Sequence, residues 1–178
     1  MEEIEVKILE VNRSTIEKIL TSMGAKKVFD GDIQTFFFDF KDGRIIKQKD
    51  VLRLRKKQDE IELTYKKVRM TQTAKTAEEY SVELSNFETM KTILENLGLS
   101  VFDSMQKHRV SYTIVGARFD FDQYFGDYWY IPEFMEIEAN NIDLIYKYAK
   151  LLGFEAKNCL PWSTTDLIKH YSIKKLNS

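Results

Sequence analysis

The sequence predicts an α+β fold dominated by one antiparallel sheet. Three observations carry this. Apolar and polar residues alternate in eight separate stretches, the period of a half-buried strand. Most of these stretches follow one another through links too short for parallel crossovers, which makes neighbours antiparallel. Three stretches with helical spacing break the series, giving the order β-α-β-β-β-β-α-β-β-β-α, with a last short helix expected in the 159–171 tail. A length of 178 residues suits one domain, 1–178.

The first strand is 2–11, where Ile4, Val6 and Ile8 share one face and Glu3, Glu5 and Lys7 the other. A helix is expected from Ser14, with Glu17 completing a capping box, Ile16, Ile19, Leu20 and Met23 as its apolar stripe, and Gly24 at its end. Residues 33–40 read as a strand closed by a turn at Asp42-Gly43. Residues 51–57 and 61–67 form a hairpin across Gln58–Glu60, and 68–77 read as polar and irregular. A strand at 79–84 precedes a helix over 86–97 that ends at Gly98. Strands follow at 100–114 and 117–123, then a loop at Asp122–Asp127. A long strand over 128–139 is interrupted near Pro132. A helix over 141–152 stops at Gly153.

Composition excludes several classes. There are only seven Gly and two Pro, with neither GxGxxG nor GxxxxGK[ST], so no Gly-rich phosphate loop is present. One Cys and two His exclude a disulfide framework and a multi-His or Cys-rich metal site. No apolar run of about 18 residues is present, and the acidic start Met1-Glu2-Glu3 is the wrong charge for a signal peptide, so a cytoplasmic protein without membrane association is expected. A net charge of −1 argues against binding duplex nucleic acid.

The signs of the charges narrow the function. A solvated strand face ordinarily mixes acids with bases, because like charges side by side repel. Here the signs segregate. Arg53, Arg55 and Lys57 share one strand face, and Lys107 and Arg109 another, with Lys66 in phase with Thr64 and Glu62. Glu3 pairs at i, i+2 with Glu5, Glu136 with Glu138, and Asp120 with Asp122, while Glu79 and Glu83 share a strand. Such faces suit a polyanion beside a hard divalent metal. Arg forks and Lys ammoniums clamp phosphate oxygens, and an all-carboxylate donor set selects Mg²⁺ or Mn²⁺.

Glu3-x-Glu5-x-Lys7, Leu52-Arg53-Leu54-Arg55, Lys66 in LTYKK, Lys107-His108-Arg109, Asp122 and Glu136-Ile137-Glu138, in this order, resemble the CYTH domains, or triphosphate tunnel metalloenzymes. The matches run from residue 3 to residue 138. The resemblance implies an eight-stranded antiparallel β-barrel, a tunnel with flanking helices. It implies Glu3, Glu5 and Glu138 as ligands of Mg²⁺ or Mn²⁺, with Glu136 close by. It implies Lys7, Arg53, Arg55, Lys66, Lys107 and Arg109 as triphosphate-binding residues. Lys7, Asp122 and Glu83 are the candidate catalytic residues. One stretch departs: the family's RxExE strand is here Ala77-Glu78-Glu79-Tyr80-Ser81-Val82-Glu83, without the Arg and with Ser81 for one acid.

The expected activity is metal-dependent hydrolysis of inorganic tripolyphosphate, thiamine triphosphate or a nucleoside triphosphate. The alternative is a class IV adenylyl cyclase forming cyclic AMP and pyrophosphate. A binding module without turnover and a plain structural barrel are the other classes considered. The expected partner is a small triphosphate, and family members pair as homodimers. His108 is out of phase with its basic neighbours and is expected to pack outside. Cys159 reads as a quiet buried thiol. Tyr128, Trp129 and Tyr130 read as packing or rim residues, and Arg69 and Lys75 as parts of a segment over the tunnel mouth.

Overall fold

The computed structural model describes residues 4–70 and 75–176. Glu3, expected to be a metal ligand, lies outside them. Eight strands form one antiparallel sheet, with five helices: β1 (Ile4–Ile8), α1 (Arg13–Ser22), β2 (Lys26–Phe40), α2 (Arg44–Lys47), β3 (Val51–Lys57), β4 (Glu60–Met70), β5 (Lys75–Glu83), α3 (Phe87–Asn96), β6 (Leu99–Ile114), β7 (Ala117–Phe125), β8 (Phe134–Ala139), α4 (Ile142–Leu151) and α5 (Thr164–Leu176). The strand order is β1-β8-β7-β6-β2-β3-β4-β5, so β1 and β5 are its end strands.

The chain divides into two compact units, residues 1–31 with 107–178, and residues 32–106. Each has its own apolar core. In the first, Ile16 and Leu20 of α1 and Ile145, Tyr148 and Ala149 of α4 pack on Val6, Ile8, Val110, Phe119, Phe121 and Ile137. In the second, Ile45 of α2 and Phe87 and Leu94 of α3 pack on Phe38 and Leu54. These strand residues alternate with charged ones, so covering one face with helices leaves the ionic side chains together on the other.

Several boundaries differ from those the sequence predicts, each for a local reason. Helix α1 is capped by Asn12, whose side chain accepts the Thr15 N–H at 3.0 Å, and not by Ser14. Asn86 and Asn141 cap α3 and α4 in the same way. The short α2 was not foreseen. It forms because the buried Asp39 carboxylate accepts the N–H groups of Ile45 and Ile46 at 3.0 Å each, satisfying donors that a first turn leaves unpaired. Strand β2 begins at Lys26, seven residues early. The stretch expected to be irregular continues β4 and β5, pairing Val68 with Ala77, Arg69 with Thr76 and Met70 with Lys75. Strand β7 runs on to Phe125, and a 3-10 turn at Gly126–Tyr128 replaces the start of the long strand over 128–139. Pro132 has no N–H to give a ladder, and β8 begins only after it.

The outer edge of β1 carries a contact from the tail. The Lys7 N–H donates to the Leu160 carbonyl at 2.8 Å, and the Leu160 N–H donates back to the Lys7 carbonyl at 2.9 Å.

Candidate active site

The first unit assembles its ionic face from four strands. Register places Lys7 opposite Glu136 and Glu5 opposite Glu138 across β1 and β8. Across β7 and β8 it places Asp120 opposite Glu136 and Arg118 opposite Glu138. Lys107 and Arg109 complete the face from β6.

Arg109 is its hub. Its Nε donates to Asp122 at 2.6 Å, one terminal nitrogen to Asp120 at 2.6 Å, and the other to Asp122 at 2.5 Å and Glu136 at 2.7 Å. Lys107 Nζ reaches Asp122 at 2.6 Å and stands 5.7 Å from the ring centre of Tyr124. Lys7 Nζ lies 2.8 Å from Glu136 and 3.2 Å from Glu5. Lys7 is 1% exposed and Asp122 is sealed from solvent.

The electrostatics follow from this packing. Burial alone would raise the Asp122 carboxyl, but Lys107 and Arg109 outweigh it and hold it at about 2. Burial pushes the Lys107 ammonium below its usual value, although Asp122 pulls it up. Burial also acts against the Lys7 ammonium, yet Glu136 and Glu5 overcome it and raise its pKa. Burial opposes ionisation of Glu136 and the Asp122 charge adds to that, but Lys107, Arg109 and Lys7 keep it below the usual carboxylate range.

The second unit carries a looser face. Register aligns Arg53 with Thr64 and Ser81, and Arg55 with Glu62 and Glu83. Arg53 meets Glu79 at 3.1 Å and Glu62 at 3.9 Å. Arg55 meets Glu62 at 3.0 Å, and Lys66 meets Glu79 at 3.4 Å. Thr64 donates to Glu62 at 2.8 Å and shares a hydrogen bond with Ser81 at 3.0 Å. Burial and the neighbouring Arg55 charge lower the Arg53 pKa, and its buried Nε has no hydrogen-bond partner among the described residues.

The structure thus brings Glu5, Lys7, Lys107, Arg109, Asp122, Glu136 and Glu138 together in the first unit. It brings Arg53, Arg55, Lys66 and Glu83 together in the second. Among the described residues no group of three or more acids, His or Cys is arranged to hold a metal ion. Glu136, expected near the metal, gives its two oxygens to Lys7 and Arg109. Glu5 and Glu138 stand opposite one another in register, and Lys7 meets Glu5 at 3.2 Å; like charges so placed favour a cation beside them. Their all-oxygen chemistry fits a hard divalent ion. His108 faces away from this set and bonds Asp30 at 3.0 Å. Cys159 is buried, Tyr128 packs against Tyr124 and Tyr130, and Trp129 is exposed. Sequence reading passed over Arg118. Its signal was phase, since Arg118, Asp120 and Asp122 alternate along one strand face.

The same fold occurs in solved structures. The PH1012 protein of Pyrococcus horikoshii OT3 has a TM-score of 0.72 at 22% identity, over 93% of this chain and 99% of that one. A Vibrio parahaemolyticus protein proposed to be an adenylate cyclase has a TM-score of 0.71 at 16% identity, over 94% and 97%. The Hippeastrum protein HpAC1, described as having a dominant triphosphatase activity, has a TM-score of 0.62 at 16% identity, over 95% and 96%. At these identities the likeness defines an α+β sheet fold and no more. Among curated protein sequences there is no match. The CYTH domain sequence model matches residues 1–144, and the chain belongs to the CYTH family.

Proposed function

We propose that the protein is a metal-dependent triphosphatase, hydrolysing a triphosphate bound by Lys7, Arg53, Arg55, Lys66, Lys107 and Arg109. The observation that carries this reading is the buried set of Lys7, Lys107 and Arg109, held by carboxylates at 2.5–3.2 Å. Transfer of a phosphoryl group needs positioning and charge neutralisation above all, and cations fixed in advance supply both.

Asp122 orients Lys107 and Arg109, and Glu136 orients Lys7 and Arg109. Arg53, Arg55 and Lys66 exchange their carboxylate partners for phosphate oxygens. Glu5 and Glu138, with Glu3, would hold Mg²⁺ or Mn²⁺. When bound, such an ion neutralises developing charge and activates water. Glu83, across β4 and β5 from Glu62, is the remaining candidate for proton transfer. The reading places the protein in the cytoplasm, acting through residues of the whole chain 1–178, with a homodimer as the family's habit.

The test is product analysis with tripolyphosphate, thiamine triphosphate and ATP, each with Mg²⁺ and with Mn²⁺. Phosphate released mainly from tripolyphosphate is the expected result. Cyclic AMP and pyrophosphate from ATP would replace the hydrolase by the cyclase, and no turnover with any of the three would leave a binding module.

A further inference from the structure

We infer that Arg118 of β7 is an additional anion-binding residue of the first unit, contacting an oxygen of the bound polyphosphate. The inference rests on the triphosphate reading and adds a residue that the sequence motifs do not contain.

The four cations of this face differ in what they have left to give. Arg109 commits Nε and both terminal nitrogens to three carboxylates, and its side chain is 13% exposed. Lys107 and Lys7 lie against Asp122 and Glu136 and are shielded to a similar or greater extent. Arg118 differs on each count. Its side chain is 38% exposed. Nε donates to Asp120 at 2.9 Å, and one terminal nitrogen makes only a long 3.5 Å contact with Ser111 Oγ. The guanidinium carries five N–H donors in a rigid fork, so most of its capacity is unspent among the described residues. The Asp120 bond fixes the direction of the fork while leaving its far edge for an acceptor from solvent. Two terminal N–H groups side by side match the spacing of two phosphate oxygens.

Position supports the same role. Arg118 of β7 stands opposite Glu138 of β8, which on its other side stands opposite Glu5 of β1. It is therefore a second cation at this end of the face, after Lys7, which already meets Glu5 at 3.2 Å, and it stands where the strand register sets Glu138. Asp120 keeps Arg109 at 2.6 Å whether or not Arg118 is present, so replacing Arg118 strands no buried charge.

The test is calorimetric titration with sodium tripolyphosphate in metal-free buffer, on wild type, R118Q, R118K and R13Q. Arg13 is the charge-matched control, an equally exposed arginine ion-paired to Glu133 at 3.1 Å. R118Q is expected to weaken binding roughly tenfold, the loss of one charge-assisted hydrogen bond. R118K should lose less, and R13Q should bind as wild type does. Phenylglyoxal footprinting of the unmutated protein is the second measurement, with tripolyphosphate slowing modification at Arg118. Equal binding by R118Q, an equal loss in R13Q, or unprotected Arg118 in a protein that binds tripolyphosphate overturns the inference alone. Absence of binding by wild type overturns it together with the triphosphate reading.

Discussion

Asp122 on β7 is sealed from solvent and holds two cations at 2.5–2.6 Å, whereas Glu79 on β5 is 40% exposed and holds two at 3.1 and 3.4 Å. Both carboxylates sit on strands of alternating pattern and both face Lys and Arg. The difference lies in burial. Around Asp122 the ions have lost most of their water and depend on one another, so that cluster is fixed before anything binds. Around Glu79, Lys66 and the carboxylate keep water and bond loosely, and partners can be exchanged at small cost. One face is suited to hold a geometry and the other to adapt to a ligand.

The contrast breaks first, and by the largest margin, at Asp122. Asp122→Asn leaves Arg109 and Lys107 buried without their shared counter-charge and should cost about 3–5 kcal/mol, the usual penalty for one partner of a buried ion pair. Urea denaturation reads this directly. A loss below 1 kcal/mol would mean that the two faces are energetically alike.

Lys66→Ala, at the solvent-reached pair with Glu79, should separate binding from folding. Tripolyphosphate binding is expected to weaken roughly tenfold, while stability moves by less than about 1 kcal/mol. Titration and urea melting of the same preparation check both halves.

Acid sharpens the comparison. The Asp122 carboxyl is held at about 2 in the folded protein, below the ~3.9 of an unfolded aspartate. A depressed carboxyl stabilises the fold above its unfolded value, and that stability is lost as pH falls from about 4 toward 2. Wild type should lose stability through this window, and Asp122→Asn should lose measurably less. The smallest effect is expected at Glu79→Gln, within about 1 kcal/mol in thermal melts, as for other solvent-reached pairs.

Much of this was legible in the residues. The alternation in 51–57, 61–67 and 100–114 identified strands and their charged faces, because one buried face forces period two. Same-sign pairs such as Lys107 with Arg109 and Glu136 with Glu138 pointed to residues that the fold gathers on one ionic face. The sequence did not show which acid meets which base. That depends on register between strands far apart in the chain, as where Lys7 meets Glu136. Residues 26–32, KKVFDGD, have too few apolar positions to announce a strand, and β2 forms there through tertiary pairing. Helix α2 depends on one buried carboxylate, Asp39, three residues before the turn at Asp42-Gly43. Asn12 won the α1 cap over Ser14 because its amide oxygen sits one residue before the helix begins.

The paired amide bonds between Lys7 and Leu160 come from a segment beyond residue 144, where the family match ends. Cutting the protein back to that match would strip the seal from an outermost strand, take Ile145, Tyr148 and Ala149 out of the first core, and leave both backbone groups and apolar side chains seeking new company. Open strand edges recruit one another, so the shortened polypeptide should self-associate as its concentration rises.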